Sequence, residues 1–419
     1  MLPVAATVPL VATCNQITPP TRPALSRRTT LLFAVASGAA VSNVYLAQPL
    51  LATLSHDLGI GAATVGAVVT LTQVGYGLGL FFLVPLGDLV DRRRLVVAQL
   101  LLLAATLAAV GTAATAPILL TALAATGFLA VVTQSLMAFA ASLAEPVRRG
   151  RVVGAVTSGI VTGILLARTA SGALADLAGW RAVYLCSAAL TLVLTVALHH
   201  ALPRSTQPDP PAPAAPRLAY RALLRSTLAL FAEERVFRIR ALFALLVFAA
   251  FGTLWSCVAL PLSEPPLSLS HTAIGAFGLA GAAGALAAAP AGRLHDRGLG
   301  ARTTGVALAL LVVSWLPLAL TRQSLWALAI GAVLLDLAVQ AVHVTNQSMI
   351  FALRPDAGGR LMGGYMVFYS IGSAVGALAS TAVYARAGWG AVCVLGAVFS
   401  VLGLLLWAVT TPRPRRVTA

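Results

Sequence analysis

Twelve apolar runs, each long enough to cross a bilayer as a helix, leave this chain no room for an ordinary soluble core. They fall at 31–54, 64–86, 95–114, 118–143, 152–174 and 180–201, and again at 241–262, 272–292, 302–320, 325–349, 361–384 and 388–410. About 20 residues at 1.5 Å each cross the roughly 30 Å hydrocarbon layer. A barrel strand needs only about 9–11 residues and alternates in polarity, so strands are excluded. Charged residues are 10% of 419 and apolar residues 59%, with a mean hydropathy of +0.92. Soluble domains carry about a quarter charged residues. The expected fold is therefore an all-α polytopic membrane protein with 12 transmembrane helices.

The net charge of +16 comes from 28 arginines and no lysine. Nucleic-acid binding would need one contiguous basic face, but these arginines sit in short loops between apolar runs, so no nucleic-acid partner is expected. With loops assigned alternately to the two sides, 24 arginines share the side of both chain ends. Arg181, Arg322 and Arg386 take the other, and Arg168 lies within a run. Loops rich in arginine stay in the cytoplasm, so both termini are expected there. Residues 1–29, with Pro3 and Pro9 and no early basic cluster, read as a cytoplasmic N-tail rather than a signal peptide, and 411–419 as a C-tail. Between the two sets of runs lies a cytoplasmic linker, 202–240. Pro203 to Pro216 is Pro- and Ala-rich and extended. Arg217, Arg221 and Arg225 then share one face of a helix whose Leu223, Leu224, Leu228 and Phe231 are apolar. Such a helix either lies on anionic lipid or is a solvated connector. Cys14, Cys186, Cys257 and Cys393 have no zinc spacing and form no disulfide framework.

The chain repeats itself. Gly87-Asp88-Leu89-Val90-Asp91-Arg92 after the second run matches Gly292-Arg293-Leu294-His295-Asp296-Arg297 after the eighth. Gly150-Arg151 matches Gly359-Arg360, and Gly179-Trp180 matches Gly388-Trp389. Two pseudo-symmetric six-helix bundles, 30–201 and 241–410, follow from the repeat, and paired bundles of this kind suit a rocking transporter. The Gly-x-Leu-x-Asp-Arg pattern resembles the loop signature of the major facilitator superfamily. Asn43-Val44-Tyr45-Leu46-Ala47-Gln48-Pro49-Leu50, Gly163 to Thr169 and Val339 to Gln347 are similar to a bacterial branch assigned to drug or sugar efflux. The resemblance covers about 30–410. It implies a major facilitator fold in a bacterial cytoplasmic (inner) membrane, and a conformational lock built on Gly87, Asp91 and Arg92 with a second copy at Gly292, Asp296 and Arg297. Physically, the same loop can be a basic anchor whose Asp caps a helix. Arg94 stands where the family carries a glycine. In the fifth run Gly163-Ile164 replaces the Gly-Pro pair of drug:proton antiporters, and Gly159 and Gly163 at GxxxG spacing suit close helix packing. Asn43 stands where some multidrug exporters carry a carboxylate.

The tenth run carries the densest polar pattern. Asp336, Gln340, His343 and Gln347 recur at i, i+4, i+7 and i+11, within about 60° of one another on a helix. Asp336 is the acidic residue set deepest in any run. A carboxylate there costs at least about 2.5–3.5 kcal/mol on insertion scales, so it must face a cavity or a partner. Asp336 and His343 are the proton-coupling candidates, with interhelical hydrogen bonding as the other reading of each. Asn43, Tyr45, Gln48, Gln73, Gln134, Arg168, Gln340, Gln347, Tyr365 and Tyr369 are the substrate-cavity candidates, since sparse amides and phenols in an apolar cavity orient a solute. Arg168 can pair with Asp336, hold an anionic solute, or snorkel to the headgroups. No phosphate-cradling loop, serine elbow or metal motif is present. No enzymatic activity, cofactor or metal is expected. The expected activity is secondary transport of a small molecule by alternating access, with proton-coupled efflux as the first form. Proton-coupled uptake or facilitated diffusion of a nutrient such as a sugar is the alternative, and a non-transporting sensor a remote one. The expected partners are a small-molecule substrate, protons and the lipid bilayer, with the chain working as a monomer.

Overall fold

The computed structural model describes residues 26–61, 64–145, 148–202, 220–353 and 358–411. The N-tail to residue 25, the stretch 203–219 with Arg217, and the tail from 412 lie outside the described residues, as do the side chains of Arg221, Leu223 and Asp296. Among the described residues there are fifteen α-helices and no strand. They are α1 (Arg27–Ser42), α2 (Leu51–Asp57), α3 (Ala67–Phe82), α4 (Arg92–Gly111), α5 (Ala116–Ala130), α6 (Val132–Leu143), α7 (Arg149–Ala201), α8 (Tyr220–Glu233), α9 (Arg235–Trp255), α10 (Ala259–Ser263), α11 (His271–Ala276), α12 (Gly281–Asp296), α13 (Gly300–Ala319), α14 (Leu325–Phe351) and α15 (Gly358–Thr410).

These helices build twelve crossings. α1 with α2, α3, α4, α5 with α6, and the two arms of α7 form the first six. α9 with α10, α11 with α12, α13, α14, and the two arms of α15 form the second six. The folds in α7 and α15 fall at Gly179 (φ 81°) and Gly388 (φ 71°), where a side chain would be strained. The repeated Gly-Trp pairs are thus the same turn in each half. Trp180 closes its turn by donating to Asp57 Oδ2 (2.8 Å), and Trp389 by donating to the Leu318 carbonyl (2.8 Å).

Four crossings that read as continuous runs are interrupted, and in two of them the interruption falls at a proline. Pro49 cannot donate to the Tyr45 carbonyl and its ring would crowd it, so the first crossing passes through a 3-10 turn at Gln48–Leu50. Pro261 does the same to Cys257, and Leu260 N bonds that carbonyl instead at 3.0 Å. Helix starts follow their caps: the side chains of Ser26, Asp91, Ser270 and Ser324 each accept a backbone N–H of the first turn.

Packing repeats with the sequence. In the first bundle α1 lies on α7, α3 on α5 and α4 on α7. In the second, α9 lies on α15, α12 on α14 and α13 on α15. A methyl group on Gly159 or Gly163 would overlap the Ala34 or Gly38 carbonyl, so the first and fifth crossings touch backbone to backbone. Val306, Leu316 and Trp326 are among the large apolar side chains left exposed on the outer surface (71%, 70% and 80%), which lipid solvates.

The bundles meet through α3 on α15 and α7 on α11. These contacts cluster toward the arginine-poor end, the end bearing Arg181, Arg322 and Arg386. There, Cβ atoms on Gly66 and Gly172 would overlap Thr381 and the His271 carbonyl, and Thr70 donates to the Ala374 carbonyl (3.1 Å). Toward the arginine-rich end, Gly154, Gly292 and Gly363 face open space. The linker helix α8 lies at that end, with Tyr220 donating to the Phe82 carbonyl (2.7 Å) and Phe231 stacked on Phe368 (5.2 Å between ring centres).

Candidate functional site

The polar stripe of α14 lies on the seam. Asp336 is buried, while Gln340, His343 and Gln347 are partly exposed, so the stripe opens toward the arginine-rich end. Asp336 Oδ1 accepts from the Trp255 indole (3.1 Å) at the end of α9. Facing it from α7 is Arg168, 3% exposed, whose Nε donates to Gln48 Oε1 (2.5 Å). The guanidinium carbon lies 4.4 Å from the Trp255 ring centre, 5.2 Å from Tyr45 and 5.8 Å from Phe251. Such flat faces attract a cation. Arg168 and Asp336 feel each other's charge, yet among the described residues no ion pair joins them, and Trp255 touches both. Arg168 Nη2 is buried without an acceptor.

A second network runs from this centre toward the arginine-rich end. The Tyr45 and Tyr369 hydroxyls bond across the seam at 2.5 Å, and the Phe248 ring lies 4.0 Å from Tyr369. His343 Nδ1 meets the Tyr365 hydroxyl (2.9 Å), and its Nε2 meets Gln347 Nε2 (3.0 Å). Because the amide nitrogen donates, a neutral imidazole carrying its proton on Nδ1 satisfies both contacts. Close by, Asn346 Oδ1 accepts from Arg240 (3.3 Å), while its Nδ2 is buried without a partner. Gln347, His343 and Tyr365 thus form one hydrogen-bonded chain in the second bundle, with the Tyr369 ring beside His343 (6.2 Å between ring centres).

Other residues singled out from the sequence sit apart from this centre. Asn43 is spent inside the first bundle: its amide donates to the Ala39 and Ala40 carbonyls and its Oδ1 accepts from Ser187 (2.6 Å). Gln134 lies beside Tyr76 in the same bundle, and Gln73 is buried with its Oε1 unpaired. In the loop motif Asp91 caps α4 through Arg94 N (2.8 Å). Arg92 reaches back to the Gly87 carbonyl (3.1 Å) and across to that of Ala138 (3.5 Å). In the second copy Gly292 closes no contact, Arg297 is exposed, and the Asp296 side chain is outside the described residues.

The structure adds residues that no sequence pattern singled out. Trp255, Phe251 and Phe248 resemble ordinary apolar lining when read along the chain. At the arginine-poor end Asp176 of α7 receives four hydrogen bonds from the second bundle. Its Oδ1 accepts from His271 N (3.1 Å) and Nδ1 (2.6 Å), and its Oδ2 from Thr272 N (2.7 Å) and Oγ1 (2.6 Å). Thr53 holds the other His271 nitrogen (2.6 Å). Beside this latch lies a cavity of about 230 Å³ lined by Thr53, Asp57, Trp180, Arg181 and His271 among others.

The Major Facilitator Superfamily profile matches residues 31–264 and 241–419. The uncharacterised transporter YgaY of Escherichia coli O157:H7 is 43% identical over 383 residues, covering 91% of this chain and 95% of that protein. "Probable transporter SCO4007" of Streptomyces coelicolor is 35% identical over 386 residues, covering 92% and 87%. Among solved structures, a bacterial homologue of the human lysosomal transporter Spinster, inward-facing and unoccupied, has a TM-score of 0.72 at 13% identity, covering 91% of this chain and 95% of that one. The nucleoside transporter NupG has a TM-score of 0.68 at 14% identity, covering 91% and 99%. At such identities the solved structures speak for the fold alone.

Proposed function

The chain belongs to the major facilitator superfamily and is a membrane transporter, not an enzyme, and we propose that it exports a small organic solute in exchange for protons, with Asp336 as the group that carries the proton. The observation that carries this reading is the buried carboxylate at the closed end of the seam, on a stripe that becomes exposed toward one end only. A carboxyl at that depth is stable only with a partner or a proton. Asp336 has the Trp255 N–H and the charge of Arg168 in the other bundle, so any relative movement of the bundles changes its surroundings. Changed surroundings move the proton, which is how a rocking motion and proton flow become one process.

In this reading the arginine-rich end faces the cytoplasm of a bacterial inner membrane, in line with the positive-inside rule. The bundles are then closed outside and open inside. The Asp176 latch keeps the outside shut, and His343 with its tyrosines lines the inner half. Loading from the cytoplasm, release of the latch and protonation of Asp336 from outside complete the cycle, which one chain performs alone.

Export profiling tests this directly. Cells expressing the chain from a plasmid are compared with cells carrying Asp336→Asn, each with and without a protonophore, by mass spectrometry of the medium. A compound that accumulates outside only with the wild-type chain and an intact proton gradient is expected. Equal export by the Asp336→Asn cells would remove Asp336 from the mechanism.

A further inference from the structure

We infer that the solute is amphoteric: Arg168 holds its anionic group and Asp336 its cationic group, so that one molecule bridges the two bundles. The inference rests on the central site being the transport site and names the class of molecule that fits it.

Arg168 is the first argument. Its guanidinium is almost wholly buried in the seam, its Nε is taken by Gln48, and its Nη2 has no acceptor. A buried charged donor left unpaired is costly and rare. Gln48 fixes the side chain through Nε and leaves Nη2 unclaimed. A carboxylate or similar oxyanion arriving there finds a charge-assisted donor already in position.

Asp336 is the second. The obvious partner for Arg168 is the one buried carboxylate nearby, yet the two make no ion pair; Asp336 Oδ1 is turned to the Trp255 indole instead. An indole therefore separates a fixed cation in the first bundle from a fixed anion in the second. A solute with a single charge would satisfy one and be repelled by the other. One bearing both charges, separated by several bonds, satisfies each from its own bundle. It would also draw the bundles together, which links occupancy to closure.

The walls fit such a molecule. Tyr45 from the first bundle and Trp255 and Phe251 from the second surround the guanidinium with flat apolar faces, suited to a ring or short hydrocarbon between the two charged ends. On the α12 side Gly281 and Gly284 lie against Asp336, and residues 281–292 include no ionisable side chain that could neutralise the carboxylate. The other groups that can titrate nearby are the Tyr45 and Tyr369 pair beside Arg168, and His343 two turns further along α14. A proton on Asp336 would then compete with the cationic end of the solute, as exchange requires.

Equilibrium binding to the purified protein in detergent, read by indole fluorescence and thermal shift, tests this with four probes built on one ring: 4-(aminomethyl)benzoate, benzoate, benzylamine and benzamide. The amphoteric probe is expected to bind at least tenfold tighter than the other three. Arg168→Gln should bring it down to the benzylamine level and Asp336→Asn to the benzoate level. Acidification should weaken it in the wild type and in His343→Gln, but not in Asp336→Asn. Equal binding of benzoate and the amphoteric probe, insensitivity to either substitution in a folded protein, or saturable binding of none of the four would overturn the inference. Amphoteric binding without pH dependence would leave it standing and overturn only the proton coupling proposed above.

Discussion

Replacing Asp176 by asparagine should unlatch the arginine-poor end of the seam. The carboxylate takes two hydrogen bonds on each oxygen, all four from His271 and Thr272 of the other bundle. An amide keeps one accepting oxygen, turns an NH2 toward the donors on the other, and loses the charge on both. Two charge-assisted bonds contribute about 3–6 kcal/mol together. The groups are 27–29% exposed, so water replaces part of what is lost and roughly half of that figure remains. About 1.5–3 kcal/mol corresponds to a 10- to 100-fold rise in the population open at this end. Ala175 is buried beside the latch and lines its cavity. With Cys14 and the exposed Cys186 replaced, Ala175→Cys should react with a maleimide faster by about that factor in the Asp176→Asn protein. An unchanged rate in a folded protein would refute the idea that these four bonds hold the seam shut.

Other consequences are simpler to read. Gly163→Val forces the first and fifth crossings apart against the Gly38 carbonyl, and should cost about 1–3 kcal/mol, seen as a lower melting temperature in detergent. The Trp180 indole N–H, opposed by partial burial and helped by His56 and Arg181, holds the Asp57 carboxyl below the usual range. Its folded-state pKa is depressed, so its stabilisation is present above the unfolded value of about 3.9 and is lost as pH falls through the lower folded one. Asp57→Asn should therefore lower the melting temperature slightly at neutral pH, by under ~1 kcal/mol at this exposed site, with the gap to wild type narrowing in acid. Tyr369→Phe removes the hydroxyl bond to Tyr45 across the seam and should speed labelling of Ala175→Cys severalfold without lowering the melting temperature by more than a few degrees.

Much of the fold is legible because lipid imposes it. Length, apolar runs and the side on which arginines fall are all one-dimensional quantities, and the twelve crossings follow from them. The repeated Gly-Trp pairs are legible too, since a positive φ at Gly179 and Gly388 demands glycine. Spacing also brings out the α14 stripe, because Asp336 to Gln347 share a face whatever surrounds them. What spacing misses is partnership. Trp255 is an ordinary apolar residue until its indole is seen between Arg168 and Asp336. Asn43 and Gln48 look alike along the first crossing, yet one is consumed by Ser187 and its own helix and the other holds Arg168. Asp176 and His271 stand 95 positions apart beside apolar runs, where each passes for a solvated end group. The breaks at Pro49 and Pro261 fall inside stretches that read as continuous, because apolar character along the chain does not report a local change in the backbone's path.

The most direct test follows the proton itself. Proteoliposomes holding a pH-sensitive dye are given an outward gradient of 4-(aminomethyl)benzoate with no initial pH difference. Outflow of the probe should acidify the lumen with the wild-type protein and leave pH unchanged with Asp336→Asn. Solute leaving wild-type vesicles at constant pH, or acidification that survives the substitution, would contradict an exchange that turns on one buried carboxyl.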